Sequence, residues 1–227
     1  MGIRENIIVF KEQLPSKVKV VAVSKTKSPE EILEAYHTGH RIFGENRVQE
    51  LVQKAEILPP DIEWHMVGHL QTNKVKYIVP FVSLIHSVDS MKLLTTINKE
   101  AEKNGRIQDC LLQIHIAMEE TKFGLSEQEL KDILNSPQFA EQKNIRICGL
   151  MGMATFTDDE KVIRNEFKYL AKVFHQTKSH YFIQHNYFSV LSMGMSGDYS
   201  IAIEEGSTMI RIGTIIFGER EGPNRQS

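Results

Sequence analysis

Along the chain, short apolar runs alternate with longer stretches in which apolar residues recur every three to four positions. That is the signature of buried strands separated by helices with one apolar face. The runs are VKVVAVSK (18–25), RIFG (41–44), EWHMVG (63–68), SLIHSV (83–88), DCLLQIHI (109–116), IRICGLMG (145–152), YFSVLSM (187–193) and MIRIGTIIFG (209–218). Helical spacing predicts helices over 29–37, 47–58, 73–79, 91–103, 127–134, 158–177 and 199–205, with one more near 3–13. Ser28 stands ahead of Pro29 and Glu31, and Ser126 ahead of Glu129. Each serine supplies the side-chain acceptor that unpaired amides at a helix start require.

Strands this continuously apolar are covered on both faces, as in a parallel sheet. Eight strand–helix units in 227 residues predict an α/β protein, a (β/α)8 TIM barrel forming a single domain over 1–227. Its N-terminal helix falls within 1–17, and the polar end at 221–227 reads as a flexible tail. An open doubly wound sheet is the alternative. It would most often carry a glycine-rich turn after its first strand, and SKTKSPEE contains no glycine.

Charge narrows the partners. Lys plus Arg total 27 against 29 Asp plus Glu, a net charge of −2, so neither nucleic acid nor an anionic membrane is attracted in general and any anion site must be local. Glu5, Lys11 and Glu12 interrupt the first apolar residues, which excludes a signal peptide, and no later stretch approaches the length of a membrane span. Cys110 and Cys148 lie inside apolar runs and read as buried, reduced thiols, in keeping with a cytoplasmic protein.

In a barrel of this kind the C-terminal strand ends converge on one mouth, so polar residues there are candidates as a group. By alternation Lys25 shares a face with Val21 and Val23, which turns its amine inward unless the strand has already ended. Apolar surroundings disfavour the ammonium form, and a neutral amine condenses with an aldehyde. A lysine that only snorkels out at a strand end would show the same pattern.

In LSMGMSGDY the hydroxyls of Ser192 and Ser196, and amides freed by Gly194 and Gly197, precede a helix start suited to an anion. An ordinary turn with Asp198 as cap is the competing reading. Arg211 stands mid-strand on the face of Met209 and Gly213 and must find an acceptor, since an unpaired buried charge is costly. Gly213 and Thr214 then stand beside the loop of strand seven, the usual phosphate corner of such barrels. Together these features describe a phosphorylated aldehyde held as a Schiff base. Pyridoxal 5'-phosphate (PLP) is the commonest such ligand, with Arg211 at its ring nitrogen. A Schiff-base aldolase for sugar phosphates would use the same lysine and phosphate cup.

Other polar residues are weaker candidates. His65 and His69 lack the intervening glutamate of a helical zinc motif, so no metal site is expected. His65 is read as lining the mouth, and His86 and His115 as satisfied strand histidines. Lys122 is either a second amine near the mouth or a solvated loop lysine.

The stretches AVSKTK, FGEN..VQE, WHMVGHLQTNK, GLM and SMGMSGDY..AI..GSTMIRIGT.IFG, from about Val20 to Gly218, resemble the pyridoxal phosphate homeostasis protein family. That family's fold is similar to the barrel domain of alanine racemase, the fold-type III arrangement. The resemblance implies Lys25 as the Schiff-base lysine and Arg211 at the pyridine nitrogen. It also implies Ser192, Met195, Ser196, Gly213 and Thr214 around the phosphate, and Asn46 and Met151 near the ring. It further implies a PLP carrier or buffer in vitamin B6 homeostasis, acting indirectly on amino-acid and keto-acid balance and without established turnover. The carrier is read as a monomer or weak dimer whose candidate partners are PLP-dependent apo-enzymes. The alternative is a small amino-acid racemase. Alanine racemases carry a tyrosine four residues after the cofactor lysine, and Pro29 stands there in this chain.

Overall fold

In a computed structural model of the chain, which describes residues 2–119 and 123–219, eight parallel strands close into a barrel in sequence order. They are β1 (Lys19–Val23), β2 (Ile42–Glu45), β3 (Glu63–Met66), β4 (Leu84–Val88), β5 (Gln108–Gln113), β6 (Ile145–Met151), β7 (Val190–Ser192) and β8 (Met209–Ile212). The helices are α1 (Ile3–Glu12), α2 (Pro29–Tyr36), α3 (Val48–Ile57), α4 (Val75–Ile78), α5 (Met91–Lys103), α6 (Glu127–Asn135), α7 (Pro137–Ala140), α8 (Glu160–Tyr181), α9 (Tyr199–Glu204) and α10 (Thr214–Phe217). A 3-10 turn at Thr72–Lys74 leads into α4. Residues 120–122, Lys122 among them, and the tail 221–227 lie outside the described residues.

Alternation along each strand divides the apolar residues between two cores. Val21, Val67, Leu84, Leu111, Met151 and Met209 fill the barrel. Val20, Ala22, Phe43, Ile85, Leu112 and Ile210 belong to the larger layer beneath the helices. Predicted caps form: Ser28 accepts from the Glu31 amide while Glu31 accepts from Ser28, and Ser126 and Glu129 do the same for α6. Gly149 carries the irregular pairing of β5 with β6. Its φ is +155°, and a Cβ there would sit 1.7 Å from the Val190 carbonyl oxygen.

Most strands are shorter than their apolar runs, and at β1 and β8 the difference bears on the site. β1 stops at Val23, so Lys25 lies in the turn that follows. β8 stops at Ile212, and the apolar run continues as α10, whose Ile216 and Phe217 are buried. An apolar run alone does not distinguish a buried strand from a buried helical turn. The Asn6 amide donates to the Ile216 carbonyl across 3.1 Å, tying α10 to α1.

Candidate functional site

Lys25 is half-buried, and both neighbours are held by residues from β2 and α3. The Ser24 hydroxyl donates to Glu45 Oε1 at 2.6 Å, and the Ser24 carbonyl accepts from Lys54 Nζ at 2.7 Å. On the other flank, the Thr26 amide donates to Glu50 Oε1 at 2.6 Å. Lys54 spends its three N–H donors on Ser24, on Glu45 at 2.7 Å and on Glu50 at 2.6 Å. Burial pushes the Glu45 carboxyl above its ordinary pKa, and Lys54 opposes that shift. Thr26 sits at φ 66°, a left-handed conformation that a β-branched residue keeps only when its surroundings dictate it.

β1 lies beside β8, with Val21 opposite Arg211 and Ala22 opposite Ile212. The ends of these two strands therefore bring the Lys25 turn close to Gly213 and Thr214. Arg211 is buried inside the barrel. Its Nη1 donates to Ser192 Oγ at 2.7 Å and its Nη2 to the Gly152 carbonyl at 3.0 Å. The acceptor that the sequence demanded is thus neutral. Burial lowers the Arg211 pKa to about 10, with Asp198 pulling the other way, so the guanidinium stays charged near neutrality. Ser192 Oγ also lies 3.1 Å from His86 Nδ1, and His86 Nε2 lies 3.0 Å from His65 Nδ1. Burial depresses both histidines, His65 to about 3 and His86 well below its ordinary value.

The loop after β7 folds over this column. Gly194, at φ +97°, packs so tightly that an added Cβ would lie 2.7 Å from the Ala202 Cβ of α9. The amide of Gly213 donates to Ser196 Oγ at 3.4 Å, so the starts of α9 and α10 meet at Ser196, Gly213 and Thr214. Amides and hydroxyls gathered in this way suit an anion. Asp198 accepts from the Met195 amide within the loop and makes no side-chain bond to the first turn of α9, so it closes the loop and does not act as the cap that the competing reading expected. Asn46 follows β2 with its Oδ1 buried and unpartnered among the described residues, and Met151 closes β6 in the barrel core.

Several placements differ from the sequence expectations. Ser192 closes β7 with its hydroxyl committed to Arg211 and His86, and so supports the arginine from below. His65 lies toward the opposite end of the barrel from the mouth. It lines a cavity of about 280 Å³ formed by strand-start residues including Lys19, Glu63 and Asp109. His86 does find partners, as expected of a satisfied strand histidine, and they place it in the column beneath Arg211. Lys54, Glu45 and Glu50 were not singled out in the sequence. The spacing of Glu50 and Lys54, four apart on α3, was the available signal. Among the described residues, no group of three metal-ligating side chains is arranged to hold an ion, and no helix is long and apolar enough to cross a membrane.

Residues 2–221 match the family described as alanine racemase, N-terminal domain. The pyridoxal phosphate homeostasis protein of Aquifex aeolicus is 42% identical over 204 residues, covering 89% of this chain and 87% of that protein. That of Helicobacter pylori strain 26695 is 42% identical over 207 residues, covering 89% and 88%. Among solved structures, PipY of Synechococcus elongatus without PLP superposes with a TM-score of 0.89 at 35% identity, over 96% of this chain and all of that one. PipY with PLP bound gives 0.85 at 34%. An alanine racemase of Clostridium difficile shares the fold at 16% identity and a TM-score of 0.70, over 97% of this chain and 56% of its own.

Proposed function

The chain belongs to the pyridoxal phosphate homeostasis protein family, and from that premise we propose that it binds PLP as a Schiff base on Lys25 and serves intracellular vitamin B6 homeostasis as a carrier. The observation that carries the proposal is convergence. The Lys25 turn, the Ser196–Gly213–Thr214 corner and the charged Arg211 all stand at the C-terminal ends of adjoining strands of one barrel.

The residues present suit the cofactor. Ser196, Gly213 and Thr214, with the backbone at Met195, would hold its phosphate. Arg211 would face its ring nitrogen, and Asn46, whose buried Oδ1 has no partner among the described residues, would lie beside the ring with Met151 beneath. Ser192 contributes through Arg211. When bound, PLP supplies an aldehyde that the Lys25 amine can capture. Arginine keeps its own proton, so it donates a hydrogen bond to the ring nitrogen without protonating it. An unprotonated ring is a weak electron sink, which favours storage over turnover. The position four residues beyond Lys25 is Pro29, the first residue of α2, which has no group to move a proton.

Purified protein is expected to be yellow. Borohydride reduction followed by peptide mapping should place the phosphopyridoxyl mass on the peptide containing Lys25. A label on another lysine, or a sugar phosphate trapped instead, would sink the assignment. Sustained exchange of deuterium into the α-carbon of an amino acid would replace the carrier with an enzyme. Soluble apo-enzymes are the proposed recipients, and the cytoplasm is the proposed compartment.

A further inference from the structure

The contacts beneath Arg211 have a direction that hydrogen-bond accounting fixes. The guanidinium can only donate, so the Ser192 oxygen accepts from it. The hydroxyl proton of Ser192 then has one partner among the described residues, His86 Nδ1. If Ser192 donates, His86 Nδ1 is bare, His86 carries its proton on Nε2, and that proton goes to His65 Nδ1. His65 then bears its own proton on Nε2, toward the cavity beside Lys19 and Glu63. In the reverse arrangement both rings would be protonated on Nδ1, and the fully buried Ser192 would accept twice while its own proton went unpaired. A buried unpaired donor is costly, and the reverse chain would aim its positive ends at a cation.

We propose that His86 and His65, acting through Ser192, are positioning residues for Arg211: a one-way column of neutral hydrogen bonds that turns its negative ends toward the guanidinium and keeps it charged and aimed. This rests on the reading of Arg211 as the ring-nitrogen partner. Among the described residues Arg211 forms no ion pair, and a carboxylate in Ser192's place would neutralise the charge that the ring is meant to meet. Beyond the distant pull of Asp198, the column adds stabilisation without cancelling the charge.

Nitrogen-15 spectra of the wild-type protein without PLP, at neutral pH, test the direction. His86 and His65 should both appear as neutral Nε2–H tautomers. Either ring found as the Nδ1–H tautomer, or charged, overturns the column. With ring-nitrogen-labelled PLP, His86→Leu should weaken retention by about fivefold, the worth of one neutral hydrogen bond. It should also shift the pyridine nitrogen signal. His86→Gln, whose amide can accept from Ser192 and donate onward, should restore both. Wild-type retention and an unmoved ring signal in His86→Leu would refute the role. If His86→Leu does not fold, the wild-type tautomers still decide. If the protein takes up no PLP, the functional proposal fails while the tautomers continue to decide this one.

Discussion

Lys54 and Arg211 are both about 95% buried, at 5% and 4% exposure, yet the fold treats them in opposite ways. Lys54, behind the barrel wall, is compensated by two carboxylates that also hold the residues on either side of Lys25, Glu45 through the Ser24 hydroxyl and Glu50 through the Thr26 amide. Arg211, inside the barrel, has among the described residues no ion pair: it bonds a serine backed by two neutral histidines and a carbonyl, with Asp198 acting on it only from a distance. The first cation has a scaffolding task, where neutralisation costs nothing functional. The second must present its charge to a ligand, so its support has to be dipolar. Burial of charge, a cost in either place, is thus resolved according to what each group is for.

The sharpest test of this contrast is to remove each cation. Lys54→Met strands Glu45 and Glu50 without a counter-ion and should cost about 3–5 kcal/mol in denaturant unfolding. It should also loosen the Lys25 turn, seen as lost imine absorbance in the protein that still folds. A loss below about 1 kcal/mol would show that the triad does not bear on stability.

Acid separates the two regions next. His65 and His86 are neutral when folded but protonate near pH 6.5 when unfolded, so the stability they hold is complete above pH 6.5 and drains as pH falls toward their depressed folded values. At pH 5 that amounts to roughly 2 kcal/mol per histidine. Glu45, raised when folded, has the opposite sign: its contribution is complete below the ordinary carboxylate pKa and is lost as pH rises through the folded value. Unfolding midpoints between pH 7 and 5 should therefore fall, and Glu45→Gln should leave that fall in place. A flat profile would contradict neutral burial of the column.

Arg211→Met should cost only about 1–2 kcal/mol, because it leaves neutral partners behind rather than stranded charges. Retention of PLP should suffer far more than the fold does. Smallest of all, Lys131→Ala, which breaks the exposed pair with Glu127, should leave the unfolding midpoint unchanged within error.

Much of the architecture was legible in the sequence. All eight strands and the long helices follow from apolar period, and Ser28 and Ser126 cap where their spacing says they should. Arg211 announced itself as a buried charge in need of an acceptor. The identity of that acceptor was not legible, because Ser192 meets Arg211 only through the register of β7 with β8. The pairing of His65 with His86 across 21 positions likewise depends on how far each strand has run toward the floor. The end of β8 was hidden because TIIF is equally apolar as strand or helix. Glu45 lies at the end of the second apolar run, and nothing in its sequence neighbourhood singles it out. Only the closed wall, with α3 laid over it, makes that carboxylate an interior group.

Thr26 gives the Lys25 turn a further property. A threonine at φ 66° is confined to a narrow conformational well, closed from one side by Glu50 and from the other by its own hydroxyl on the Lys25 carbonyl at 2.6 Å. The backbone that carries the amine has therefore given up its freedom during folding, before any aldehyde arrives. Capture then restricts only the rotamers of one side chain, and release hands back only those, so loading and unloading can be nearly balanced in entropy.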